Sequence, residues 1–120
     1  MSIRNERKYF CPIDVTLSVL SGKWKPLLLF HLASGPKRFN ELQSRVPHVS
    51  HKVLSQQLRQ LELDELVRRH IRKTAPRAVS YELTELGRSL KASLGALAAW
   101  GNAHHRRLGV QLEWPTSRGT

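Results

Sequence analysis

Leu54, Leu58 and Leu61 recur at i, i+4 and i+7, and the residues between them are mostly polar. That spacing predicts an amphipathic helix with Ser50 as its N-cap and an end near Asp64. At about 100° per residue, Lys52, Ser55, Gln56 and Arg59 fall opposite the leucines. Phe39 to Arg45 reads as a shorter helix just before it, and Pro47-His48-Val49 as the turn between the two.

Upstream, Pro12 suits the first turn of a helix running to about Leu20, with Val15, Leu17, Val19 and Leu20 as its apolar positions. Ser21-Gly22 breaks it. Trp24 to Ala33 then carries Trp24, Leu27, Leu28, Leu29, Phe30 and Leu32 on nearly all sides, which predicts a central core helix. Pro26 sits in its first turn, where a missing N–H matters least. After Ser34-Gly35-Pro36, Lys37-Arg38-Phe39 reads as a very short strand.

Downstream, Leu66 to Lys73 and Val79 to Leu83 read as strands around the turn Thr74-Ala75-Pro76-Arg77. Thr84 can cap a last helix from Glu85 to about Leu108, with Leu86, Leu90, Leu94, Leu97 and Trp100 at helical spacing. Gly87, Gly95 and Gly101 weaken that helix, so packing must supply much of its stability. Residues 1–10 read as a polar arm, and 109–120, mixing Pro, Ser, Gly and Thr, are expected to be a flexible tail. Residues 11–108 are expected to be one domain, since 120 residues leave little room for a second core.

Helix, turn, helix and hairpin in that order define an α+β, mainly α fold: a helix-turn-helix with a wing. Charge strengthens this picture. Twenty Lys and Arg against nine Asp and Glu give a net charge of +11. From Lys37 to Arg77 there are ten basic residues against four acids, and the run Arg68, Arg69, Arg72, Lys73, Arg77 has no acid within it. Such a field attracts a polyanion, and nucleic acid is the commonest one.

Other chemistry is sparse. No Gly-rich phosphate loop, nucleophile elbow or convergent acid/base set appears, so no enzyme and no cofactor are expected. The adjacent His104 and His105 cannot both face one ion from a regular helix, and His31, His48, His51 and His70 complete no ligand spacing, so no metal is expected. Cys11 is the only cysteine, which excludes an intrachain disulfide. The N-terminus lacks a signal-peptide apolar region, and no apolar stretch approaches the roughly 20 residues that span a bilayer. A soluble, cytoplasmic protein is the expectation.

The chain resembles the HxlR-type transcriptional regulators, bacterial winged helix-turn-helix proteins related to the MarR group. Cys11-Pro12, Gly22-Lys23-Trp24-Lys25-Pro26-Leu27 and Gly35-Pro36-Lys37-Arg38-Phe39-Asn40-Glu41-Leu42 carry the first part of the likeness. Ser50-His51-Lys52-Val53-Leu54, Gln57-Leu58-Arg59-Gln60-Leu61-Glu62 and Tyr81-Glu82-Leu83-Thr84-Glu85-Leu86-Gly87 complete it. Together they cover residues 11 to about 101 in order. Three positions depart from the pattern. Glu65 stands where Gly is usual, Arg77 where a second Pro is common, and Ser80 where Glu is frequent.

The resemblance implies a DNA-binding regulator, read here as a repressor, that binds a pseudo-palindromic operator as a homodimer. The N-terminal and last helices would form the dimer. Lys52 and Arg59 would hold phosphates or read guanine, and Gln56 would pair with adenine. Ser50, His51 and Ser55 would make phosphate or water-mediated contacts, with Lys37 and Arg38 beside them. Arg72, Lys73 and Arg77 would reach the backbone or minor groove from the wing. Many relatives sense oxidants or electrophiles through a cysteine where Cys11 stands. Its position at a helix start near Arg7 and Lys8 favours a thiolate, and an inert structural thiol is the other reading. A non-specific nucleic-acid-binding or architectural protein is the competing function. The aromatics used for base stacking are missing, since Trp24, Phe30 and Phe39 read as core.

Overall fold

Three helices crossing at their leucines set the centre of the molecule. In the computed structural model, which describes residues 8–72 and 75–113, the helices are α1 (Pro12–Val19), α2 (Trp24–Leu32), α3 (Phe39–Arg45), α4 (His51–Leu63), α5 (Glu85–Arg88) and α6 (Lys91–His104). The strands are β1 (Lys37–Arg38), β2 (Val67–Arg72) and β3 (Ala75–Leu83). Leu28, Leu29 and Leu32 of α2, Leu42 of α3, and Leu54, Leu58 and Leu61 of α4 are shut off from solvent. Val46, Val49, Leu66, Val67, Tyr81, Leu83 and Leu94 extend this core. The predicted elements and the α+β winged-helix architecture are present.

The sheet is antiparallel in the order β1-β3-β2. Lys37 pairs with Tyr81 and Arg38 with Ser80, so β1 touches β3 over two residues only. On the other side Val67 pairs with Leu83 and Ile71 with Val79, before an irregularity between Ile71 and Arg72.

This corrects the hairpin expectation. β3 starts at Ala75, not Val79, and Ala75 pairs with Arg72. Pro76 and Arg77, expected in the turn, belong to the strand. Pro76 is tolerated because it falls in the irregularity, where Val79 and Ala75 pair with Ile71 and Arg72 and leave 76–78 without β2 partners, and β1 does not reach that end of β3.

The last helix is also corrected. It breaks between Arg88 and Lys91 and ends at His104. The Ser89 hydroxyl donates to the Leu86 carbonyl, and the Leu90 N–H bonds to Gly87 three residues back. The tightened i−3 backbone bond is what interrupts the regular ladder. Of α6 only Leu94 is buried, and α1 buries no residue at all. The central helix α2 is less uniformly apolar in use than its sequence implied. Leu27 is exposed, whereas Lys25 and His31 are buried.

Recognition-helix candidate α4 ends in a Schellman motif. Leu66 N–H donates to Leu61 O and Glu65 N–H to Glu62 O, both at 3.0 Å. Glu65 adopts φ 62°, the left-handed conformation that explains why Gly is usual at this position. Leu66 is then held at both ends, because its carbonyl accepts from Thr84 N–H at 3.0 Å. Thr84 caps α5, its hydroxyl accepting from Gly87 N–H at 3.1 Å and donating to Glu65 O at 2.7 Å.

Candidate nucleic-acid interface

Packing decides which face of α4 is free. With Leu54, Leu58 and Leu61 buried against α2, the residues His51, Lys52, Ser55, Gln56 and Arg59 are all exposed. The helix begins at Ser50, whose extended backbone (φ -73°, ψ 158°) lets Oγ accept from Val53 N–H at 3.1 Å. Gln43 of α3 donates Nε2 to Val49 O at 2.6 Å, tying the two helices across their turn. Val46 and Val49 bury the apolar side of that turn. The His51 ring lies on Phe39, centroids 4.6 Å apart, which fixes the first side chain of α4. The result is a row of polar side chains on the exposed face of a helix anchored to the core.

Lys37 does not join that row. It is only 8% exposed, and its ammonium donates to Ser34 Oγ at 3.0 Å and Gly35 O at 3.1 Å. Expected as a nucleic-acid contact, it instead closes the turn between α2 and β1. Burial first, and then the charge of Arg45, holds its pKa below the ordinary lysine value. His31 lies in the same electrostatic environment. Burial, then Arg45 and Lys37, lower its pKa from 6.5 to about 4. Arg38 by contrast is exposed, and its backbone N–H donates to Glu41 Oε1 at 2.8 Å at the start of α3.

The wing brings together three residues that the sequence did not single out as a group. Glu82 Oε1 lies 2.7 Å from His70 Nε2 and 3.5 Å from Arg68 Nη1. The hydrogen bond from His70, with Arg68 and Arg88 nearby, holds the Glu82 carboxyl below the usual carboxylate range. Correct hairpin register, which places Arg68 opposite Glu82, was the signal that could have found them. Arg72 and Arg77 have their backbones in β2 and β3, and their side chains lie outside the described part; Lys73 is outside the described residues.

Cys11 stands apart, exposed at the N-cap of α1, with its carbonyl accepting from Asp14 N–H at 3.0 Å. A second feature is apolar. Ile13 and Leu17 of α1 and Leu97 and Trp100 of α6 are 58% to 66% exposed. Trp100 stacks on His104, whose Nδ1 donates to Trp100 O at 2.8 Å. Among the described residues no helix is long and apolar enough to cross a membrane, and no three His, Cys, Asp or Glu converge as for a metal ion.

A core-anchored helix presenting Lys, Gln, Ser and Arg, flanked by a basic β-wing, defines a transcriptional regulator of the winged helix-turn-helix type. Comparison with known proteins carries this one step further. The family model HxlR-like helix-turn-helix matches residues 19–108, and the chain belongs to that family. It is 44% identical over 103 residues to the uncharacterised HTH-type transcriptional regulator YtcD of Bacillus subtilis strain 168, covering 86% of this chain and 82% of YtcD. Among solved structures, the redox regulator HypR in its reduced form superposes with TM-score 0.77 at 38% identity, over 82% of this chain and 98% of HypR. Reduced YodB of B. subtilis gives 0.67 at 36% identity, over 78% and 92%. YodB has also been solved quinone-bound and diamide-treated.

Proposed function

We propose that this regulator binds double-stranded DNA as a homodimer and represses transcription from a pseudo-palindromic operator. The exposed row His51, Lys52, Ser55, Gln56 and Arg59 on a helix locked to the core carries this reading. With α4 in the major groove, Gln56 pairs with an adenine edge, while Lys52 and Arg59 take guanine or phosphate. Arg38 and the Ser50 hydroxyl flank this helix at the backbone, and Arg72, Lys73 and Arg77 extend the contact from the wing. One module of this size buries limited surface, so two are needed for useful affinity. The exposed Ile13, Leu17, Leu97 and Trp100 supply an apolar surface for pairing two copies through α1 and α6. Residues 11–108 form the working unit, which acts in the cytoplasm beside the chromosome.

Cys11 is the proposed switch. Its exposed thiol can add to an electrophilic carbon, or oxidise by giving two electrons to an oxidant. A lone cysteine must then become a sulfenic acid or bridge to a thiol on another molecule. The quinone-bound and diamide-treated forms of YodB support the reading.

Binding to DNA upstream of the protein's own gene, against a scrambled duplex at the same salt, tests the central claim. A large preference is expected. Equal affinity at every duplex tried across the genome would favour the architectural reading instead.

A further inference from the structure

The chain does not simply run out after α6. Gly109 takes φ 77°, and its N–H donates to Arg106 O while Val110 N–H donates to His105 O, each at 3.0 Å. These two bonds make a Schellman-type reversal. His105 reinforces it, with Nδ1 2.9 Å from Val110 O. So turned, the chain carries Glu113 to the helix-turn-helix, where its Oε2 lies 3.1 Å from His48 Nε2 across 65 positions of sequence.

The location and the charge are both informative. His48 lies in the turn between α3 and α4, two residues before the N-cap Ser50. In a docked helix-turn-helix, the N-terminal end of the recognition helix is the part that meets DNA. Glu113 is the only Asp or Glu after Glu85, in a stretch that carries Arg88, Lys91, Arg106, Arg107 and Arg118. It also lies beyond residue 108, where the family match stops. The single acid of the C-terminal segment is therefore seated on the reading head.

We propose that this tail is an acidic strap, in which Glu113 competes with DNA phosphate for His48 at the mouth of the recognition helix. The proposal rests on the DNA-binding reading above. Both side chains are largely exposed, 70% and 84%, so a phosphate can displace the carboxylate. Phosphates carry no sequence, so the strap lowers affinity for every duplex alike. It trims, by a small factor, the non-specific attraction of a chain whose net charge is +11.

Glu113→Gln in the full chain should bind operator and scrambled duplex about two- to five-fold more tightly at low salt. Its log–log salt dependence should steepen, because the carboxylate that repels the neighbouring phosphates is gone. The contact itself is tested by His48→Cys with Glu113→Cys in a Cys11→Ser background, treated with a short bis-maleimide. An intramolecular cross-link should form, and the linked protein should bind DNA more weakly than the same protein capped with N-ethylmaleimide. Unchanged affinity and salt slope in Glu113→Gln, or failure to cross-link, overturns the strap. If the wild type and every variant ignore DNA, the competition falls together with the DNA-binding reading, and the cross-link alone then reports where the tail lies.

Discussion

Lys37 reaches His31 through Ser34, whose hydroxyl donates to His31 O and accepts from the Lys37 ammonium. Burial first, then the charges of Arg45 and Lys37, keeps the His31 ring neutral down to about pH 4. An unfolded chain takes up the same proton near 6.5. The unfolded state therefore binds the proton first as pH falls. This contribution to stability is whole above about pH 6.5 and is lost as pH drops toward 4, up to about 3 kcal/mol. Urea unfolding at pH 7 and pH 5 should differ by about 2 kcal/mol. His31→Gln, which cannot titrate, should show a much smaller difference; an equal one would assign the acid sensitivity to other groups.

Gly87 sits against the Leu66 carbonyl. A Cβ added there would lie 2.2 Å from that oxygen, which is backbone and cannot swing away. Gly87→Ala should therefore destabilise the fold by about 2–4 kcal/mol, although alanine favours helices in general. A melting temperature at or above that of the wild type would contradict the packing.

Glu65 holds a left-handed backbone, φ 62°, that glycine adopts without steric strain. Glu65→Gly should raise stability by about 0.5–1 kcal/mol, the relief of the left-handed strain less the added entropy of the unfolded chain. Denaturant midpoints of the two proteins decide it, and a lower midpoint for the glycine variant sinks the idea.

Along α4, Lys52→Ala should weaken binding to all duplexes and reduce the salt slope by about 1, whereas Gln56→Ala should cost about 1–3 kcal/mol on the operator only. Titrations at several salt concentrations separate the two patterns. Identical losses on scrambled DNA would remove Gln56 from base reading.

Cys11→Ser should bind DNA as the wild type does and lose any response to diamide or aldehyde. Band shifts with and without those reagents are the measurement. A preserved response in the serine variant removes Cys11 from the mechanism.

Much of this molecule was legible in its residues. Ser50 and the Leu54, Leu58, Leu61 series placed α4 within a residue of its observed bounds, because one buried stripe and one cap determine a helix. Glu65 stood out against the family pattern, and its backbone angle gives the reason. What stayed hidden depended on tertiary geometry. A lysine reads as solvent-exposed, so the inward turn of Lys37 required knowing where Ser34 and Gly35 lie. The break at Ser89–Leu90 is a tightened turn, with Leu90 N–H on Gly87 O three residues back, which periodicity does not report. The hairpin tip was misplaced because a register irregularity beside Arg72 has no signature in alternation. His48 and Glu113 are 65 positions apart, beyond any local pattern.

Leu66 is bonded through its N–H to the end of α4 and through its carbonyl to the residue that caps α5. No slack linker separates the two helices there. Leu66 therefore joins the end of α4 to the start of α5 at a single residue. A substitution that displaces Leu66 would disturb the last turn of α4 and the cap of α5 together.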